Sequence, residues 1–448
     1  MKKNNFVTIC IPARNAERFL GYTLNNILNN NYPSDKYEVL IGNHGSTDRT
    51  RELLLSYSHK HDNIRFFDIE FDGPNRPLAR NKLIEQAKGE ILIFIDQDIL
   101  VSSHFIESHV ELHEKYNGCI IAGYTFGKDS ISNAMQFQGE NPKSLNLNNI
   151  SSDYDILKSQ NCFKDDRENL GYIKADSDIE FENLTDTITP FKAFWLCNLS
   201  ILRSDIIDFG GFDEFYKQWG MDDDDLAYRY QLNSRKMIFS RSAWAYHMPH
   251  PVNTQNQISD WRLNCEYFFK KYLTRELELF TIFKGHIDKG LDEIQLTFNS
   301  MPNGEEYNNI IKSMSLVLPP TDAERLGILI MNEESSKCLG LAQCFNPFTP
   351  LSTQSYIKDG CTYWPLIGFR TSFEKNSIDE TILVADSAMF FEEYLLKILL
   401  LEIARISNKV IIFFGEAASN PKQTYLVNKL ESILELVKFN SLERIYLK

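Results

Sequence analysis

The chain has 448 residues, enough for two or three domains at about 150 residues each. Hydrophobic residues make up 43% and charged residues 24%, the balance of a globular protein rather than a disordered or fibrous one. A formal net charge of −14 argues against nucleic acid or an anionic membrane surface as the main partner, while leaving room for a local basic pocket around a nucleotide diphosphate.

The opening "MKKNNFVTICIPARN" has a basic start and a short apolar run. The run stops at Arg14 and no small-residue cleavage site follows, so it reads as a buried strand rather than a signal peptide. "AERFLGYTLNNILNN" puts Phe19, Leu20, Leu24, Ile27 and Leu28 on one helical face. "YEVLIGN" is a second strand, and "STDRTRELLLSYSHKH" a second helix with Ser46 or Thr47 as its N-cap. "NIRFFDIEF" is a third strand, "RPLARNKLIEQAKGE" a third helix ended by Gly89, and "ILIFIDQD" a fourth strand buried on both faces. This alternation predicts an α/β domain with a mostly parallel sheet and flanking helices. Residues 128 to 190 are polar and weakly periodic, and read as an insertion or long loop region. Order returns with "FKAFWLCNLSILRSDIIDFGGFDEFYKQWG", the helix "DLAYRYQLNSRK", the strand-like "MIFSRSAWAYHMPHP" and the helix "WRLNCEYFFKKYL".

From about residue 281 the character changes, which suggests one domain at 1–280 and a smaller α/β domain at 281–448. In the latter, "RLGILIM", "TILVADS", "KVIIFFG" and "RIYL" read as strands, and "MFFEEYLLKILLLEIARIS" and "TYLVNKLESILELVKF" as helices. This second unit has no phosphate loop, metal-ligand spacing or nucleophile elbow, and its role stays open. The eight cysteines contain no C-x-x-C pair and follow no zinc or disulfide spacing, as in a reduced, cytoplasmic protein. No apolar run approaches the ~18 residues of a membrane span, which leaves at most peripheral membrane association.

Four constellations carry chemistry. Ligands of parallel sheets sit at the carboxyl ends of the strands, where Asn43, Asp96 and Asp98 fall. If "DQD" is extended, Asp96 and Asp98 share one side and can hold a hard divalent cation; otherwise they cap a turn. Arg80 in "ARN" would lie near the same edge and could hold a phosphate or an aspartate. In "AYHMPH", His247 is a metal ligand or a partly buried polar residue, with Pro249 stiffening the exit. The run Asp222 to Asp225 is either a helix start, with Asp222 as N-cap, or the site of a carboxylate base set behind a shaped loop at Trp219 and Gly220.

Taken in this order, these segments resemble the inverting family-2 glycosyltransferases of the GT-A (nucleotide-diphospho-sugar transferase) fold. "TICIPARNAERFLGYTLNNIL", "YEVLIGNHGSTDRT", "ARN" and "FIDQD" are similar to that family's successive signposts. "FWLCNLSILRSDIIDFGGFDEFYKQWGMDDDDLAYR" with "AYHMPH" resembles the galactosyltransferase C-terminal module of chondroitin-polymerase-like enzymes, polypeptide N-acetylgalactosaminyltransferases and β-1,4-galactosyltransferases. The resemblance covers roughly residues 6 to 275 and implies a metal-dependent inverting hexosyltransferase using a nucleotide-sugar donor, expected to be a UDP-sugar. The acceptor would be a hydroxyl of a saccharide, glycolipid or peptide. By the same resemblance, Asp96, Asp98 and His247 would hold Mn²⁺ or Mg²⁺, with Asp98 the direct ligand. Pro12, Ala13, Arg14, Asn43, Asp48, Arg80, Asp96 and Gln97 would bind the donor. Asp223 takes the catalytic-base position, and Trp219, Gly220 and Asp222 would meet the sugar or acceptor. Asp224 and Asp225 would serve the helix start. Two departures stand out. Asn43 and His44 replace the usual Asp-Asp before "GSTD", which loosens the base preference, and Asp222 replaces a Glu, which leaves the donor sugar open. A nucleotidyltransferase would need a glycine-rich start that "IPARNAE" lacks, and a silent sugar-nucleotide-binding module would be expected to lose carboxylates that are all present here.

Overall fold

In the computed structural model of the protein, the described residues are 6–70, 72–126, 167, 181–183, 190–248, 250, 254–283, 294–295, 297–299, 301, 304–318, 321–330, 332–347, 353–388, 390–414 and 421–446. Most of the polar stretch 128–190 and Pro249 lie outside them. The chain divides into two compact units, Met1–Asn264 and Cys265–Lys448.

The first unit is built on a nine-stranded sheet. Its strands are β1 Val7–Ala13, β2 Tyr37–His44, β3 Ile64–Ile69, β4 Ile91–Ile95, β5 Ile99–Val101, β6 Cys119–Phe126, β7 Phe181–Asn183, β8 Asn198–Leu202 and β9 Lys236–His247. The order is β3-β2-β1-β4-β8-β6-β9-β5, with β7 also on β9. Strands β3, β2, β1, β4, β6 and β9 run one way, and β8, β5 and β7 run against them. The parallel strands β2 and β4 are buried along their whole length, as continuous apolar runs require when helices cover both faces. Register sets Ala13 beside Asn43, so β1 and β2 end on one edge.

The helices are α1 Leu20–Leu28, α2 Thr50–Ser58, α3 Arg76–Gln86, α4 Phe105–Lys115, α5 Arg203–Asp208, α6 Asp222–Leu232 and α7 Thr254–Tyr272. Helix α1 buries Leu20, Leu24 and Ile27, the expected apolar face. The start of α2 differs from expectation. It begins at Thr50, and Asp48 accepts from the Thr50 amide at 3.0 Å, because Ser46 and Thr47 are engaged with Asn15 across the loop. Helix α3 stops at Gln86 before Ala87, not at Gly89. Gly89 answers a different need: a side chain there would meet the Thr8 amide at 2.3 Å.

Behind the sheet, α4 is joined to β8 by a buried polar network. The Ser200 hydroxyl lies 2.8 Å from His109 Nδ1 and 2.9 Å from His113 Nε2, and Asn198 Oδ1 lies 3.2 Å from His109 Nε2. Asn198 also donates to the Ala243 carbonyl at 2.8 Å, which ties in β9. Burial pushes His109 down to about 4 and His113 down to about 3, so both rings are neutral.

The second unit has a seven-stranded sheet of β10 Arg325–Ile328, β11 Gln343–Phe345, β12 Tyr356–Lys358, β13 Cys361–Trp364, β14 Ile378–Val384, β15 Ser407–Phe414 and β16 Leu442–Tyr446, in the order β12-β13-β11-β10-β14-β15-β16. Among the described residues, only β12 pairs antiparallel, with β13. The winding reverses at β10, as in a doubly wound α/β sheet. Among the described residues, no helix is long and apolar enough to cross a membrane.

Candidate active site

The carboxyl ends of β1 and β4, α3, the start of α6 and the exit of β9 bring several of the sequence candidates into contact in separate groups. Pro12 and Ala13 end β1. The amide of Arg14 donates to Gln97 Oε1 at 2.8 Å, and Gln97 Nε2 donates back to the Arg14 carbonyl at 3.3 Å. Gln97 therefore ties the exit of β1 to the turn after β4. Asp48 is engaged locally. Burial acts to raise its carboxyl, but hydrogen bonds from Thr50 and the Glu17 amide hold it below the ordinary range. Asn43 is buried, and its Nδ2 donates to Asp68 Oδ1 at 2.7 Å. Its Oδ1 has no hydrogen-bond partner among the described residues, which leaves an acceptor at the strand edge.

The segment Asp96–Gln97–Asp98 is a turn between β4 and β5, not an extended strand end, so its two carboxylates part. The Asp98 carbonyl accepts from the Met248 amide at 2.9 Å, which draws the turn toward the exit of β9. Asp98 is buried, with Oδ2 3.0 Å from His250 Nε2 and Oδ1 3.7 Å from His247 Nε2. Burial alone would raise this carboxyl, but the two imidazoles outweigh it and hold it low. Asp98, His247 and His250 form a group able to hold a metal ion, their ligand atoms lying within 4.8 Å of one another. His250 was not among the sequence candidates, although the H-x-x-H spacing in "HMPH" carried the signal. Asp96 lies outside this group. It is half-exposed and sits 3.6 Å from Arg80 Nη2.

Arg80 is buried and its Nη1 donates to Asp222 Oδ2. Its guanidinium also lies 5.7 Å from the centre of the Phe212 ring. One arginine thus faces both Asp96 and Asp222. Asp222, expected to meet sugar hydroxyls, is turned inward and only 5% exposed. Burial pushes its carboxyl up and the Arg80 charge opposes that rise.

The four aspartates separate by neighbour. Asp224 is buried against Lys192 Nζ at 2.9 Å, and burial pushes it up to about 7. Asp225 is fully buried, 3.0 Å from Arg229 and within reach of the Tyr216 hydroxyl. Asp223 alone of the four is only partly buried, and among the described residues no cation pairs with it. Its Oδ1 accepts from the Asp224 amide at 3.0 Å. The cap of α6 is Met221, not Asp222.

The loop before α6 is held in place. Asn264 Nδ2 donates to the carbonyls of Trp219 at 3.2 Å and Gly220 at 2.8 Å. Gly220 has φ +91° and Met221 φ +73°. Trp219 is half-buried beside them.

Residues 8–193 match the model of glycosyl transferase family 2, and residues 181–251 match a model described as the N-terminal domain of galactosyltransferase. The chain is 23% identical over 395 residues to validoxylamine A glucosyltransferase of Streptomyces hygroscopicus subsp. limoneus, covering 85% of this chain and 84% of that protein. It is 28% identical over 322 residues to the uncharacterized glycosyltransferase YfnE of Bacillus subtilis, covering 68% of this chain and 80% of that protein. Among solved structures, TarS 1–349 of S. aureus in complex with UDP aligns over 96% of this chain and 88% of that chain, with a TM-score of 0.42 and 14% identity.

Proposed function

Because this chain is a glycosyltransferase with a family-2 segment at residues 8–193, we propose that it carries a hexose or N-acetylhexosamine from a UDP-sugar to a hydroxyl of a saccharide or peptide, with inversion at the anomeric carbon. The glucosyltransferase activity in the name of the S. hygroscopicus relative supports a hexose donor. The observation that carries the reading is the isolation of Asp223. Three neighbouring aspartates are buried beside Arg80, Lys192 and Arg229, and Asp223 is the accessible carboxylate among them.

The residues fit a divalent cation. Asp98 Oδ1 is buried without a hydrogen-bond partner among the described residues, and two imidazoles flank the same carboxylate. Asp98, His247 and His250 would hold the ion, and imidazole nitrogens suit Mn²⁺ better than Mg²⁺, which prefers oxygen ligands. When bound, the cation supplies Lewis-acid neutralisation of the departing diphosphate.

The remaining work falls to the chain. Asn43 Oδ1 accepts from the nucleobase edge. Arg80, held by Asp222, keeps a fixed positive charge at the strand edge beside Asp96. Asp223 takes the proton of the acceptor hydroxyl as that oxygen bonds to the anomeric carbon and the bond to the diphosphate breaks. A single displacement of this kind inverts the centre, and general-base help is worth about 10²–10⁴-fold. The test is UDP release from UDP-glucose and UDP-N-acetylglucosamine across a panel of saccharide acceptors, with and without Mn²⁺. Asp223→Asn should keep Mn²⁺-dependent UDP binding and lose at least ~10²-fold in turnover. Full turnover in that variant would remove Asp223 from the base role.

A further inference from the structure

The loop that delivers Asp223 is in a conformation its own residues do not favour. Gly220 and Met221 are consecutive residues with positive φ, +91° and +73°. Glycine accepts this freely, whereas αL is unfavourable for an ordinary L side chain such as methionine's. Such outliers persist only where surrounding structure over-determines them. Met221 is completely buried, which anchors its side chain but does not set the direction of the peptide before it.

A side chain from α7 bonds the peptides on either side of Gly220. Asn264, on α7 and 5% exposed, donates from a single Nδ2 to the carbonyls of Trp219 and Gly220, at 3.2 and 2.8 Å. Nearby, Trp261 of the same helix closes over Gly220. A side chain at position 220 would meet Trp261 Cδ1 at 3.3 Å and would also be strained by the positive φ. The far side of the segment is fixed by Lys192 on Asp224, and Asp223 Oδ1 accepts from the Asp224 amide. The carboxylate of Asp223 is therefore suspended between a clip at 219–220 and an ion pair at 224.

We propose that Asn264 is a positioning residue for the base, aiming Asp223 by clipping the two carbonyls that precede α6. The inference rests on the reading of Asp223 as general base, and it extends the site to a residue 44 positions downstream of Gly220, whose carbonyl it binds. Reacting groups tolerate little misplacement, since about 1 Å can cost ~10²-fold in rate. Among the described residues, the Asn264 side chain hydrogen-bonds to Trp219 and Gly220 and not to the Asp98 group or Asn43, so UDP capture should not depend on it.

The test uses the full chain with Asn264→Ala and the isosteric Asn264→Asp, which has no amide donor. The readouts are kcat and donor KM for UDP release, Mn²⁺-dependent UDP binding by calorimetry, and amide hydrogen exchange of the peptide spanning residues 218–226. Both variants should lower kcat by at least ~10-fold, leave donor KM and UDP binding unchanged, and speed exchange in that peptide. Unchanged kcat with faster exchange would overturn the proposal, because the loop would then be loosened without effect on the base. A parallel loss of UDP binding would also overturn it, as a general collapse of the site. If the wild-type chain releases no UDP from any donor, the proposed function fails by itself. Hydrogen exchange then still decides whether Asn264 holds the turn, and unchanged exchange in Asn264→Ala would refute the clip.

Discussion

Arg80→Met isolates the charge balance on which the site is built. Arg80 and Asp222 are both buried, and Asp222 sits next to Asp223 in sequence and at a helix start shared with two further aspartates. Removing one partner of a buried pair costs about 3–5 kcal/mol, because the other charge stays buried and uncompensated. That is a large part of a typical domain stability of about 5–15 kcal/mol. At about 2–4 °C per kcal/mol for a unit of this size, the first thermal transition should fall by roughly 10 °C. The sign of the pH dependence follows from Asp222. Without Arg80 its carboxyl rises further above the unfolded value, so the folded variant binds the extra proton. Its destabilisation is therefore smaller near pH 5.5 and grows as pH rises toward 8. Asp222→Asn in the same chain removes the stranded charge, so the double variant should recover at least half of the loss. Thermal unfolding of wild type, both single variants and the double variant at the two pH values reads the coupling directly. Strict additivity of the two single variants, or a loss that shrinks as pH rises, would refute the pairing as an energetic unit.

Asp98→Ala should abolish the Mn²⁺ dependence of UDP binding in calorimetry, and His250→Ala should weaken it by at least ~10-fold; unaltered metal dependence in both would move the ion elsewhere. Asn43→Ala should weaken UDP binding by about 2–10-fold, one hydrogen bond of roughly 0.5–1.5 kcal/mol, and equal affinity would show that the free Oδ1 does not face the base. His109 and His113 are neutral in the fold and titrate near the ordinary 6.5 when unfolded, so stability present above pH ~6.5 is lost as pH falls toward 4. Each should cost about 2 kcal/mol at pH ~5, and denaturant midpoints in His109→Gln should show a flatter acid limb than wild type.

Periodicity made most of the first unit legible. "FVTICIPA", "YEVLIGN" and "ILIFI" read as strands covered on both faces, and β2 and β4 are buried throughout and β1 almost so. The same residues placed Asn43 and Asp96 at the strand edge, since the end of a run is a local property. The short strands β11, β12 and β13 escaped notice, because three or four residues carry no readable period. The α2 cap was misplaced for a related reason: Ser46 and Thr47 are good caps locally, but Asn15 from a distant loop competes for them.

The sequence by itself determined the chemical inventory: a mostly parallel α/β framework, the Asp-x-Asp after a buried strand, the aspartate run behind Trp219 and Gly220, and two histidines at and just past the end of β9. Only tertiary structure decided which carboxylate met which partner. Asp96 and Asp98 are two residues apart yet face Arg80 and the histidines respectively, because the chain turns between them. Asp222, Asp224 and Asp225 were indistinguishable as letters, and each found its own cation from a different element, α3, the turn Pro190–Ala193 or α6 itself. Asn264, separated from the loop it clips by more than 40 residues, could be found only in three dimensions. Charge pairing and hydrogen bonding act over a few ångströms in space, and a sequence records separation along the chain.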